Sequence, residues 1–131
     1  MAGINCVFLL GRLTRDPEVR LTPEGTHARF GLGIAYRSRD AAGEWREAPC
    51  FVDVVASGRE ADRASAHLRR GRAVFVEGRL DYAPPGTDEA RRSDRLHVVA
   101  QRLTLLPRAI GAQPRDDGSA LAVPAWLDQE G

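Results

Sequence analysis

The sequence predicts an all-β domain: a five-stranded barrel in Greek-key order, with one short helix between strands three and four. Three observations predict it. Apolar and β-branched residues recur in short runs, the clearest of them alternating with period two. One stretch alone, residues 58–70, switches to a helical period. Glycine and proline turn signals separate the runs, and no helices alternate with them, which argues against a doubly wound sheet.

The elements follow in order. Asn5–Leu13 is apolar and rich in strand formers, and ends at Thr14-Arg15-Asp16-Pro17, where the proline interrupts pairing. Thr22-Pro23-Glu24-Gly25 is a turn signal. Ala28–Tyr36 alternates, with Phe30, Leu32 and Ile34 on one face and Arg29, Gly31, Gly33 and Ala35 on the other. Arg37–Pro49 is polar and reads as a long hairpin loop centred on Asp40–Glu44. Cys50–Ala56 is the third strand. Gly58–Arg70 places Ala61, Ala64 and Leu68 on one helical stripe, with Ser57 as its cap and Gly71 as its stop. Ala73–Tyr82 is the fourth strand, where Gly78 marks a bulge or bend. Ala83–Asp94 is a loop, and Arg95–Leu106 is the fifth strand. This layout is that of the OB-fold. Residues 1–107 form the domain, and residues 108–131 are expected to be a flexible acidic tail.

Composition narrows the chemistry. All 19 basic residues are arginine. The absence of lysine excludes a Walker-A or Schiff-base lysine. Residues 1–110 carry a net charge of +4 and residues 111–131 a net charge of −3, so a mildly basic body precedes an acidic end. Cys6 and Cys50 stand 44 positions apart without a metal-ligand spacing, and are expected to be reduced core thiols. His27, His67 and His97 are isolated. Gly31-x-Gly33 lies within a strand, and Val55 stands where a nucleophile elbow around Ser57 needs glycine. No enzyme, metal or cofactor is expected. No apolar run is long enough to cross a bilayer, and the N-terminus lacks the features of a signal peptide, so a cytoplasmic location is expected.

Several segments carry a resemblance. Ile4-Asn5-Cys6-Val7-Phe8-Leu9-Leu10-Gly11-Arg12-Leu13 is followed by Asp16-Pro17-Glu18-Val19-Arg20 and Thr22-Pro23-x-Gly25. Phe30–Ala35 and the run His67–Leu80, which contains Leu68-Arg69-Arg70-Gly71 and Val76-Glu77-Gly78-Arg79-Leu80, come next. Over residues 3–107 the chain resembles the bacterial single-stranded DNA-binding protein family. The resemblance implies sequence-independent binding and protection of single-stranded DNA in replication, recombination and repair. It also implies a homo-oligomer, with a tetramer as the usual state and a dimer as the alternative, a nucleoid-associated location, and possible docking of replication or repair proteins. Two departures stand out. Asp81-Tyr82-Ala83-Pro84-Pro85 replaces the family's Arg-x-Arg-x-Trp, and the end Trp126–Gly131 replaces its acidic tip. They support a second reading, an accessory OB-fold protein, either resembling primosomal replication protein B or a tail-less second member of the family, that acts mainly through protein partners.

Binding single strands without sequence preference requires cations for phosphates and flat rings for bases. Phe51 matches the family's third-strand tryptophan. Period two puts it with Asp53 and Val55, opposite the more apolar Cys50, Val52 and Val54, so it is expected to face outward. Tyr36 and Trp45 flank the long loop, and Tyr82 stands where the fourth strand leaves the barrel. The arginines in or beside matched segments are Arg12, Arg20, Arg59, Arg70, Arg72, Arg79 and Arg95. These eleven residues are the expected DNA-binding set.

Overall fold

A run of strand formers punctuated by turn residues makes β1 (Val7–Leu13), β2 (Glu18–Thr22), β3 (Gly25–Arg39) and β4 (Trp45–Ser57); α1 (Gly58–His67), β5 (Ala73–Tyr82) and β6 (Leu96–Leu105) complete the order. The structure is a computed structural model and describes residues 2–82 and 96–107. Hydrogen-bonded neighbours run β1-β5-β6-β4-β3, and a β1–β3 pairing closes the ring. All pairs are antiparallel except β4 with β6. This is the expected five-stranded barrel.

The sixth strand, β2, is the continuation of the first. β1 meets β3 at Arg12↔Gly33 and Leu13↔Leu32. β2 takes the same edge of β3 further along, from Glu18↔Arg29 to Thr22↔Gly25. Between them the Thr14 N–H donates to the Gly31 carbonyl at 2.9 Å, and the turn ending in Pro17 breaks the ladder. The β2–β3 turn uses Gly25 at φ 126°, in the left-handed region that glycine tolerates.

The barrel interior is filled by the inward parity of each strand. Leu13, Phe30, Leu32, Val54, Val74, Val76, Val98 and Leu103 are buried, with Ala61, Ala64 and Leu68 added from α1. Glu60 and Arg63 fasten the helix to β6. The Leu103 N–H donates to Glu60 Oε2 at 2.8 Å, and Arg63 Nη1 donates to the Leu103 carbonyl at 2.6 Å. At Gly78 the β5–β6 register shifts, and a side chain there would run into the Val99 carbonyl.

Four expectations change. Arg37–Pro49 is not a loop: β3 and β4 stay paired from His27↔Ser57 to Arg39↔Trp45, and only the tip around Asp40–Glu44 turns. The helix stops at His67, with Leu68 extended as its C-cap, and Ser57 makes no side-chain cap bond. Cys6 and Cys50 are exposed rather than in the core. Arg95 and residues 108–131 lie outside the described residues.

Candidate nucleic-acid interface

Directly paired residues on neighbouring strands share a face, so the register sorts the candidate residues. The outward parity of β4 carries Val55, Asp53, Phe51, Pro49, Glu47 and Trp45 in sequence; their partners on β3 are Arg29, Gly31, Gly33, Ala35, Arg37 and Arg39. This makes one lane along the outside of the barrel. Phe51 faces outward as expected and is 43% exposed; Trp45 is 57% exposed. Arg12 joins the lane through Gly33, the residue that pairs with both Arg12 and Phe51. Arg79 joins through Val99, which pairs with Val55. Arg20 joins through His27, which pairs with Ser57.

The other candidates fall elsewhere. Tyr36 pairs with Ala48, on the opposite face of the hairpin from Trp45 and Phe51. Tyr82 pairs with Leu96, two residues beyond Leu80 and on the core-side parity past the barrel end. Arg59 is exposed in the first turn of α1. Arg70 and Arg72 gather with Arg12 around Gly71.

Residues that sequence reasoning passed over complete the lane. The guanidinium carbons of Arg37 and Arg39 lie 5.3 and 5.1 Å from the Trp45 ring centroid, within cation–π range. Their i, i+2 spacing was the signal, hidden while the segment read as a loop. Asp53 accepts from Arg15 Nη2 and Arg29 Nη2, each at 3.3 Å. Arg15 crosses β3 at Gly31, where any side chain would meet Thr14 and Arg15. Two guanidiniums against one carboxylate leave this cluster net positive.

The hairpin tip is held by Asp40. Its Oδ1 accepts from the Ala42 and Glu44 N–H groups, both at 2.9 Å, and its Oδ2 from Arg46 Nε at 2.8 Å. The Arg46 hydrogen bond, then the Glu44 N–H, hold its carboxyl below the ordinary 3.8. The Tyr82 N–H does the same for Asp81, assisted by Arg79 and His97.

Beside the lane, β1 presents Phe8 (65% exposed) and Leu10 (55% exposed) outward. Phe8 stacks on Phe75 with centroids 6.3 Å apart. Among the described residues no His, Cys, Asp or Glu cluster fits a metal ion, and no helix is long and apolar enough to cross a membrane.

An OB-fold barrel with exposed rings and arginines along strands β3 and β4 defines a binding module of the kind that takes single-stranded nucleic acids. The comparisons agree with that class. The family model described as "Single-strand binding protein family" matches residues 4–106, and the chain belongs to this family. A single-stranded DNA-binding protein of Helicobacter hepaticus is 34% identical over 103 residues, covering 78% of this chain and 61% of the relative. One from Thermus thermophilus is 42% identical over 103 residues, covering 78% of this chain and 37% of the relative. The chain thus spans less than two thirds of the length of these relatives. The crystal structure of a deletion mutant of the Thermus aquaticus single-stranded DNA-binding protein superposes with a TM-score of 0.70 at 33% identity, covering 82% of this chain and 53% of that one.

Proposed function

We propose that the chain binds single-stranded DNA without sequence preference and acts as a coating protein in replication, recombination and repair. The observation that carries this reading is the shared lane of Phe51, Trp45, Arg12, Arg37 and Arg39 on the outside of β3 and β4. Rings offer stacking faces to any base, and arginines replace the counterions of the phosphates. Arg20 and Arg79 extend the positive edge. Tyr36, Tyr82 and Arg59 lie away from the lane and serve only a strand that leaves it. The names of the relatives, which describe single-stranded DNA binding, support the same substrate.

The chain works as a homo-oligomer, and the family resemblance implies a tetramer. β1 pairs with β3 only at Arg12 and Leu13, which leaves Val7–Leu10 as an edge on that side. Exposed apolar residues beside an unpaired strand edge fit a second copy of the chain.

Fluorescence anisotropy with labelled poly-dT and a matching duplex, across a salt series, tests the function. The single strand should bind tightly, the duplex weakly, and log K should fall linearly with log salt. No binding to poly-dT at low salt would refute the reading and favour an accessory role through protein partners.

A further inference from the structure

We propose that Asp53 is a positioning residue for the bound strand: a carboxylate inside the lane that strengthens the hold on an anionic ligand by fixing Arg15 across β3. The proposal rests on the single-stranded DNA reading and adds to it a phosphate contact, Arg15, and the group that aims it. Asp53 lies on the outward parity of β4, two residues from Phe51 and about 7 Å along the strand from it. Its partner on β3 is Gly31. Arg15 leaves the turn between β1 and β2 and crosses β3 at that glycine, where an added methyl group would stand 2.7 Å from Arg15 Nη1. Arg29 comes from β3 itself, two residues before Gly31 on the same face.

Asp53 divides its two oxygens between the two arginines. Oδ1 accepts from Arg15 Nη2 and Oδ2 from Arg29 Nη2, each at 3.3 Å. Burial differs along the cluster: the Arg29 side chain is 11% exposed, that of Asp53 22% and that of Arg15 31%. A buried charge needs a partner, so Arg29 and Asp53 form the inner pair and their charges cancel. Arg15, the outermost member, keeps its charge while Oδ1 sets its direction. A guanidinium has five N–H donors, so one bond to a carboxylate leaves Arg15 donors for a phosphate oxygen.

Counting charges gives the opposite sign. A carboxylate beside phosphates repels them, so removing it should tighten binding. The geometry reverses that expectation. In Asp53→Asn two guanidiniums face one neutral amide. Like charges repel, and Arg15, which sits on a turn and is the more exposed of the two, swings into solvent. Ordering it again on binding costs side-chain entropy, a cost that alignment in advance avoids.

The test is poly-dT binding by the full chain across a salt series, in a cycle of parent, Asp53→Asn, Arg15→Gln and the double variant, each held below its melting temperature. Arg15→Gln should lower the salt slope by about 0.7, one lost phosphate contact, so that raising salt from about 50 to 200 mM weakens it roughly 2.6-fold less than the parent. Asp53→Asn should bind several-fold more weakly than the parent at low salt, although it removes a negative charge. In the Arg15→Gln background the same substitution should cost no affinity, because the side chain it aims is gone. Tighter binding by Asp53→Asn would overturn the proposal and make the carboxylate a plain repeller. An equal loss in both backgrounds would also overturn it and reduce Asp53 to a contact of the fold. So would an unchanged slope in Arg15→Gln, which takes Arg15 out of the strand's path while the DNA reading stands. If Asp53→Asn melts early, Asp53→Glu takes its place in the cycle: it keeps the charge but moves the carboxylate by one methylene, so the same loss in the parent background, and none in Arg15→Gln, is expected. If the parent binds no single strand, the DNA reading itself falls.

Discussion

Arg12 and Phe51 sit in one row across the outside of the barrel, on β1 and β4, with Gly33 of β3 as the residue between them. Two strand spacings put their backbones about 10 Å apart, and the residue between them has no side chain, so a cationic residue and an exposed ring share one face. Neither residue signals this alone, since 39 positions separate them in the chain.

Phe51→Ala should weaken poly-dT binding by about 1–3 kcal/mol, the usual contribution of one stacked base. The ring is 43% exposed and outside the barrel interior, so thermal unfolding should move little. Anisotropy and a melting curve on the same sample check both parts. A large stability loss with unchanged affinity would show Phe51 to be a packing residue.

The hairpin tip should loosen in acid. The Asp40 carboxyl titrates below its ordinary 3.8, first because of Arg46 and then because of the Glu44 N–H. A depressed folded value stabilises the ionised form, so the contribution is complete above the unfolded value. It is lost as pH falls below 3.8 through the folded value. Trp45 fluorescence in a Trp126→Phe background should report a transition in that window, and Asp40→Asn should abolish it. An identical acid transition in the Asn variant would assign it to another group.

Gly78→Ala should destabilise the barrel by about 1–3 kcal/mol, the usual cost of overpacking. Its new methyl meets the Val99 carbonyl at the β5–β6 register shift, and backbone cannot swing aside as a side chain can. Gly3→Ala, with open space around it, is the neutral control. Equal melting temperatures for the two variants would remove the steric argument.

Phe8→Glu should reduce self-association without unfolding the chain, because Phe8 is 65% exposed on the stretch of β1 whose β3-side edge pairs with no strand. Sedimentation at micromolar concentration should show a smaller species than the parent forms. Equal sedimentation of parent and variant would move the contact between copies away from this face.

Period two made the core legible. Phe30, Leu32 and Ile34 alternate with small residues in the sequence, and the first two are fully buried. The same rule turned Phe51 outward, and an internal glycine marked the bulge at Gly78. It failed where both faces meet water. In Arg37–Arg39 and Trp45–Pro49 neither parity is apolar, so the paired hairpin looked like a loop, and Arg37 and Arg39 went unnoticed. β2 was missed for a related reason: four of its five residues are exposed, and a strand that buries no face leaves little hydrophobic contrast. Cys6 and Cys50 stand among apolar neighbours, yet both are exposed: Cys6 precedes β1, and Cys50 lies mid-strand in β4, on the part of the hairpin that runs out past the barrel interior.

The sequence by itself determined the barrel, its helix, the outward turn of Phe51 and an all-arginine charge, because local alternation and composition decide those. Tertiary structure alone decided which charges and rings meet. The Arg12 side chain reaches the Gly71 carbonyl from 59 positions away, Arg15 and Arg29 converge on one carboxylate of β4, and Tyr36 falls on the face opposite Trp45. Such neighbourhoods depend on strand register and barrel closure, which bring distant residues together after each strand has already chosen its own two faces.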